Sequence, residues 1–180
     1  MEIIIVIVVL LFSAILHEVM HGYAADRLGD PTARLAGRLT LNPIPHIDPI
    51  GSILFPALLI FSGSPIIFGS AKPVPINPLN FKDGKKDMAL TALAGPFTNI
   101  ILAVFAALVL RVLPNEAILV IIFQTIALYN IILAAINLIP IPPLDGSRVV
   151  SAILPEQIAS FYNSIEPFGI YILLFLLLIL

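Results

Sequence analysis

The sequence predicts an all-α polytopic membrane protein: about four transmembrane helices, re-entrant or short hydrophobic segments between them, and short edge strands. Three observations carry this expectation. The 180 residues are 59% apolar and 11% charged, and their mean hydropathy of +1.09 is far above that of an average soluble domain. Apolar runs recur at residues 3–16, 50–69, 88–113, 117–139 and 168–180, and about 20 such residues in a helix cross about 30 Å of hydrocarbon. Prolines, 16 in all, cluster in "LNPIPHIDPIG" (41–51), "AKPVPINPLN" (71–80) and "NLIPIPPLDG" (137–146). A missing backbone donor and the restriction on the residue before proline exclude these segments from helix interiors.

The first run begins with Met1 and Glu2, has no basic n-region, and leads into "HEVMH" where a signal peptide would carry a small-residue cleavage site. It therefore reads as a retained helix. Arg27, Arg34 and Arg38 follow it, and Lys82, Lys85 and Lys86 precede the third run, so the positive-inside rule puts both points in the cytoplasm. The run at 50–69 then cannot cross once. "FSGSP" (61–65) interrupts it, which is consistent with two short arms that dip in and return, a single tilted crossing being the alternative. Irregular backbone at membrane depth is tolerated only inside protein or against a water-filled cavity, so a cavity is expected.

The span at 88–113 runs outward, "RVLPNE" turns outside, and 117–137 returns "NLIPIPPLDG" to the side of "HEVMH". The last run, 168–180, makes about 20 Å of helix and reads as a short or incomplete span with a lead-in from Glu166. No internal repeat, low-complexity linker or long hydrophilic stretch divides the chain. A single membrane-embedded domain over residues 1–180 is expected.

Net charge is −2, with no basic cluster beyond "KDGKK" (82–86), so the electrostatic footprint of a nucleic-acid binder is missing. The chain has no cysteine, which excludes disulfides and thiolate metal sites. Any zinc must be held by imidazole and carboxylate.

"HEVMH" supplies such ligands. In a helix, His17 and His21 stand at i and i+4 on one face, where their ring nitrogens can converge on one Zn²⁺. Glu18, beside the first ligand, can reach water there without binding the metal. This is the H-E-x-x-H arrangement, in which zinc acidifies a water and the glutamate takes its proton. The alternative is a polar cluster at a helix end, satisfied by interhelical hydrogen bonds. The cost of ionisable groups within a membrane favours the functional reading. His17 lies about 24 Å along the helix, near its cytoplasmic end.

Zinc needs a third protein ligand, and Asp145, His46 and Asp48 are the candidate donors. Asp145 is favoured because prolines precede it, Gly146 follows it, and its span ends on the correct side. Its alternative role is N-cap of a helix over "GSRVVSAIL". His46, a lone histidine in a proline-rich loop, reads more readily as a loop hydrogen-bonder.

With "HEVMHG" (17–22), "AGPFTN" (94–99) and "NLIPIPPLDGSR" (137–148) in that order, the chain resembles the site-2 protease family of intramembrane zinc metalloproteases, in a short form without PDZ or CBS modules. The resemblance implies one catalytic zinc on His17, His21 and Asp145, with Glu18 as base. It implies that Asn137 positions substrate or stabilises the tetrahedral oxyanion. It further implies regulated intramembrane proteolysis: a transmembrane protein is cut within or near its helix, by an integral protein of the cell membrane whose active site lies near the cytoplasmic side. Because a helix protects its peptide bonds, the substrate must unwind. "AKPVPINP" is a candidate edge for holding it by β-addition, or else a plain connector.

Two rival functions are compatible with a polar cluster in a membrane helix. Some zinc transporters carry H-E-x-P-H-E, but here Gly22 replaces the second glutamate, Met20 stands at the proline position, and no H-N-x-x-D partner follows. A catalytically inactive membrane scaffold is the other. A zinc protease with a downstream glutamate ligand is excluded because Glu156 and Glu166 lack the surrounding motif.

Overall fold

Without water to satisfy its backbone, a chain in hydrocarbon must pair its peptide groups internally, and an apolar run does so as a helix. The computed structural model describes residues 2–63, 71–112 and 116–169, with the backbone alone at Phe55. The chain begins with α1 (Glu2–Leu28) and turns at Gly29, whose φ of 114° suits a residue without Cβ. There follow α2 (Thr32–Leu35), a 3₁₀ turn at Ile44–His46, and a π-helical stretch Pro49–Leu54 that continues into α3 (Phe55–Phe61). After a second 3₁₀ turn (Pro78–Asn80) come α4 (Gly84–Val112), α5 (Ala117–Asn137), α6 (Asp145–Ile153) and α7 (Glu156–Asn163).

Among the described residues, α1, α4 and α5 are long and apolar enough to cross a membrane. The first extends well past its apolar run, so "HEVMHG" lies within the helix and not at its end. The fourth expected span, 168–180, lies outside the described residues from position 170. Of the run at 50–69, Pro49–Phe61 is helical for about 20 Å, too short to cross, and residues 64–70 lie outside the described part.

The expected edge strands do not form among the described residues. In 71–80 the reason is a shortage of free donors. Pro73, Pro75 and Pro78 have no N–H, while those of Lys72, Val74 and Asn77 are engaged by His46 O (2.7 Å), Glu18 Oε2 (2.9 Å) and Asp30 Oδ2 (2.7 Å).

Helix α4 is central and packs against α1, α5 and α6. Val9 and Leu10 of α1 meet Tyr129 and Leu133 of α5, with Ile60 of α3 against them. Much of the rest of the interior is polar: Ser13, His17, His21, Thr91, Asn99 and Asn130 are buried, while Ile4, Phe12, Phe97, Phe105 and Ile131 are exposed. Such an inversion would aggregate in water and is stable where the solvent is lipid. Buried Ala103 and Ala106 on α4 and Ala134 on α5 let helices approach closely, as membrane helix packing favours.

The chain beyond α1 is tied back through Asp30. Its fully buried carboxylate accepts from Thr32 N (3.1 Å), the Thr32 hydroxyl, Asn77 N (2.7 Å) and Asn80 Nδ2 (2.8 Å). Burial alone would raise this carboxyl, but the hydrogen bonds to its charged form prevail and hold it below the ordinary carboxylate value. A group depressed in this way adds stability above its unfolded value, and that stability is lost as pH falls through the folded value. Asp30→Ala should therefore cost about 1–3 kcal/mol near neutrality. In thermal unfolding in detergent, the gap from wild type should narrow below about pH 4.

Candidate metal centre

Helical spacing places His17 and His21 on one face of α1, with their Nε2 atoms 2.9 Å apart and their rings edge to face at 88°. Asp145, the first residue of α6, brings Oδ2 to 3.0 Å from His17 Nε2 and 3.3 Å from His21 Nε2. Ligands about 2.0–2.1 Å from a tetrahedral zinc stand about 3.3–3.4 Å from one another, so the three atoms lie within a few tenths of an ångström of a zinc triad.

The hydrogen bonds behind these atoms say what they present. His21 Nδ1 lies 2.7 Å from Thr91 O. A carbonyl only accepts, so Nδ1 carries the proton and Nε2 offers a lone pair. Asp145 Oδ2 is buried without a hydrogen-bond donor. A carboxylate oxygen facing imidazole lone pairs is repulsive unless a cation or shared proton lies between them. The chemistry of this donor set fits zinc.

Three glycines make the approach possible. A Cβ on Gly95 would stand 2.5 Å from His21 Nε2 and 2.6 Å from His17 Nε2, so no larger residue fits on α4 beneath the ligands. A Cβ on Gly146 would strike the carbonyls of Leu138 and Ile139, because the turn leaving α5 lies directly against the start of α6. Gly22 closes α1 onto α2, where a Cβ would meet Ala33 Cβ at 2.9 Å. The capping role considered for Asp145 is not observed. The N-cap of α6 is Leu144 and makes no side-chain cap bond, which leaves the Asp145 carboxylate for the histidines.

A cavity of about 660 Å³ opens at this cluster, bordered by Glu18, Asp48, Asn137 and Arg148 among others. The Glu18 carboxylate lies within 4.8 Å of the histidine nitrogens, and its Oε2 accepts from Val74 N. Asn137 reaches the cavity, but its Nδ2 donates back to Leu133 O at 2.9 Å. Of the other candidate ligands, Asp48 borders the cavity while its Oδ2 accepts from Gly51 N at 2.6 Å. His46 is buried in its loop with Nε2 on Thr40 O at 2.9 Å, and burial pushes its imidazole below the usual range. Glu156 and Glu166 pair with Lys85 and Arg148 at 2.6 and 2.5 Å.

Sequence reasoning missed the supporting face on α4. Thr91, Gly95 and Asn99 recur at i, i+4 and i+8 and run antiparallel to α1: Thr91 O meets His21, Gly95 lies between, and Asn99 Oδ1 is 2.6 Å from His17 Nδ1. The resemblance through "AGPFTN" assigns no role to its asparagine. The readable signal was a helical repeat of small and polar residues matching that of the histidines.

Comparison with known proteins identifies the family. The family model for Peptidase family M50 matches residues 112–180, the part that carries α5 and Asp145. Over 180 residues the chain is 35% identical to "Putative zinc metalloprotease YwhC" of Bacillus subtilis (strain 168), covering 94% of this chain and 78% of that protein. The chain belongs to peptidase family M50, the site-2 protease family. It is also similar to two proteins named "Putative zinc metalloprotease Rip2". Identity is 29% over 170 residues with that of Mycolicibacterium smegmatis (93% of this chain, 64% of that protein). It is 31% over 171 residues with that of Mycobacterium tuberculosis (strain ATCC 25618 / H37Rv) (94% and 63%). The chain thus spans less than two thirds of the Rip2 proteins. No solved structure matches it. This M50 protein is a zinc metalloprotease, and the three long apolar helices among its described residues make it an integral membrane protein.

The glycines supply a direct check on the centre. Gly95→Ala and Gly146→Ala should each weaken zinc binding about ten-fold or more, measured by chelator competition on purified protein. Gly84→Ala, which meets nothing within 4 Å, should leave it unchanged.

Proposed function

We propose that this M50 metalloprotease hydrolyses a peptide bond within or near a transmembrane helix of a membrane-protein substrate. One zinc ion is held by His17, His21 and Asp145, Glu18 is the general base, and residues 1–180 act as a single membrane-embedded domain. The observation that carries the reading is the convergence of three buried donor atoms at 2.9–3.3 Å inside a membrane-helix assembly, beside a carboxylate in the same cavity. The basic residues after α1 and before α4 favour a site near the cytoplasmic side.

Zinc, when bound, supplies a Lewis acid that acidifies water and polarises the scissile carbonyl. The chain's residues do the rest. Glu18 has one oxygen fixed by the Val74 N–H, so its second oxygen stays aimed and takes the proton from the attacking water, later delivering it to the leaving amine. Asn137 retains one amide hydrogen beyond its bond to Leu133 O and directs it to the substrate carbonyl as charge develops there. Helices α1, α4 and α5 exclude bulk water on the lipid side, which strengthens these interactions.

The substrate must reach the cavity as unwound chain. Ala71, Pro73, Val74 and Ile76 border its mouth, and this segment guides the unwound stretch. Lengthening it, or substituting polar residues there, should impair cleavage. Unchanged cleavage would remove the segment from the substrate path.

The central experiment is reconstitution in vesicles with a single-span model substrate. Wild type should cleave it. Glu18→Gln should keep zinc and lose cleavage by about three orders of magnitude or more, because base and ligands are separate residues. Asp145→Ala should lose both. Cleavage by Glu18→Gln at the wild-type rate, or zinc flux without cleavage by wild type, would contradict the proposal.

A further inference from the structure

Behind the zinc ligands, four buried polar side chains from three membrane helices form a hydrogen-bonded chain with a direction. Asn130 of α5 donates through Nδ2 to the backbone oxygen of Ile126 at 2.8 Å and to Ser13 Oγ of α1 at 2.9 Å. Its Oδ1 faces Asn99 Nδ2 of α4 at 2.7 Å, and Asn99 Oδ1 faces His17 Nδ1 at 2.6 Å. Asn99 and Asn130 are fully buried, and Ser13 and His17 nearly so.

Each amide alone could be turned end for end, but the chain cannot. The oxygen of Ile126 is a carbonyl and only accepts, so the Asn130 amide must put its nitrogen there and its oxygen toward Asn99. Asn99 must then answer with nitrogen, which turns its oxygen to the histidine. An oxygen at 2.6 Å requires a proton on His17 Nδ1, leaving the Nε2 lone pair toward His21 and Asp145. Reversing the polarity would set two carbonyl oxygens against each other in a dry interior, where each unpaired group is costly.

We propose that Asn99 and Asn130 are positioning residues that fix the tautomer and ring orientation of His17, so that its metal-facing nitrogen is set by a backbone carbonyl on α5. The inference rests on the zinc site proposed above. His21 needs no such relay, because Thr91 O does the same for it directly. The relay explains why a fully buried asparagine stands in the middle of α5, while the Nδ1 partners of both histidines lie on α4. Groups behind a metal-binding histidine commonly govern metal affinity by about 10–100-fold.

The test uses the full chain in detergent, with zinc affinity read by chelator competition and the unfolding midpoint read in parallel. Asn99→Leu should weaken zinc binding by about 10–100-fold, and Asn130→Leu by about ten-fold through loss of the lock on Asn99. Asn99→Asp keeps an acceptor on Nδ1 but turns a second oxygen on Asn130 Oδ1, so it should hold zinc more tightly than Asn99→Leu while lowering the unfolding midpoint. A purely structural role for these asparagines would lower the midpoint and leave the affinity of folded protein alone. Wild-type affinity in both leucine variants, or equal loss in Asn99→Asp and Asn99→Leu, would overturn the relay. Should the leucine variants not fold, ¹⁵N spectra of zinc-loaded, ring-labelled wild type decide: His17 should show a protonated Nδ1 and a metal-bound Nε2, and an unprotonated Nδ1 overturns the proposal. His17→Ala separates the two levels. If it binds zinc as wild type does, the zinc site itself fails and the relay with it. If it abolishes binding while the leucine variants keep it, the relay alone fails.

Discussion

Two histidines in a membrane helix have four ring nitrogens to satisfy, and lipid offers them no partner. The contact between α1 and α4 resolves this. Thr91 O and Asn99 Oδ1 take one nitrogen from each ring, and Gly95 lets α4 come close enough for both bonds to form. The two remaining nitrogens are thereby aimed at one point. Asp145 reaches that point from a different helix, and the cavity opens beside it. Moving α4 outward by the width of a methyl group would lose the alignment of both rings together.

Stability and chemistry are coupled through the same groups. The polar interior of α1, α4 and α5 gives these helices specific register where apolar packing against lipid gives little. It also sets which ring nitrogens face Asp145. A carboxylate and two lone pairs held within 3.3 Å repel one another unless a cation or shared proton lies between them, so a metal bound there would stabilise the folded state. Asp30 does for the segment after α3 what the α4 contact does for the helices. It pins residues 77–80 to the end of α1, and through that segment Val74 is brought to Glu18.

The parts legible in the sequence were those governed by local rules. Apolar length gave α4 and α5 to within a few residues. The i, i+4 spacing gave the shared face of His17 and His21, and "PPLDG" gave a backbone held out of helix until Asp145. The length of α1 was underestimated because "HEVMHGYAADRL" is too polar to extend a hydropathy run, although half its residues are good helix formers and its histidines are answered by α4. Asn99 and Asn130 could not be assigned roles, since these depend on partners 82 and 31 positions away and on which end of an amide faces which helix. The necessity of Gly146 is likewise invisible in a sequence, because it comes from the turn at Leu138 lying over the start of α6.

The account stands on the donor atoms converging on a metal. X-ray absorption at the zinc edge of the loaded, purified protein tests that most directly. It should show one zinc in a four-coordinate shell of nitrogen and oxygen at about 2.0–2.1 Å, with multiple scattering from two imidazoles and no sulfur. A shell with three imidazoles would bring His46 into the site and contradict the role of Asp145. A six-coordinate shell of oxygen without imidazole scattering would contradict the site as a whole.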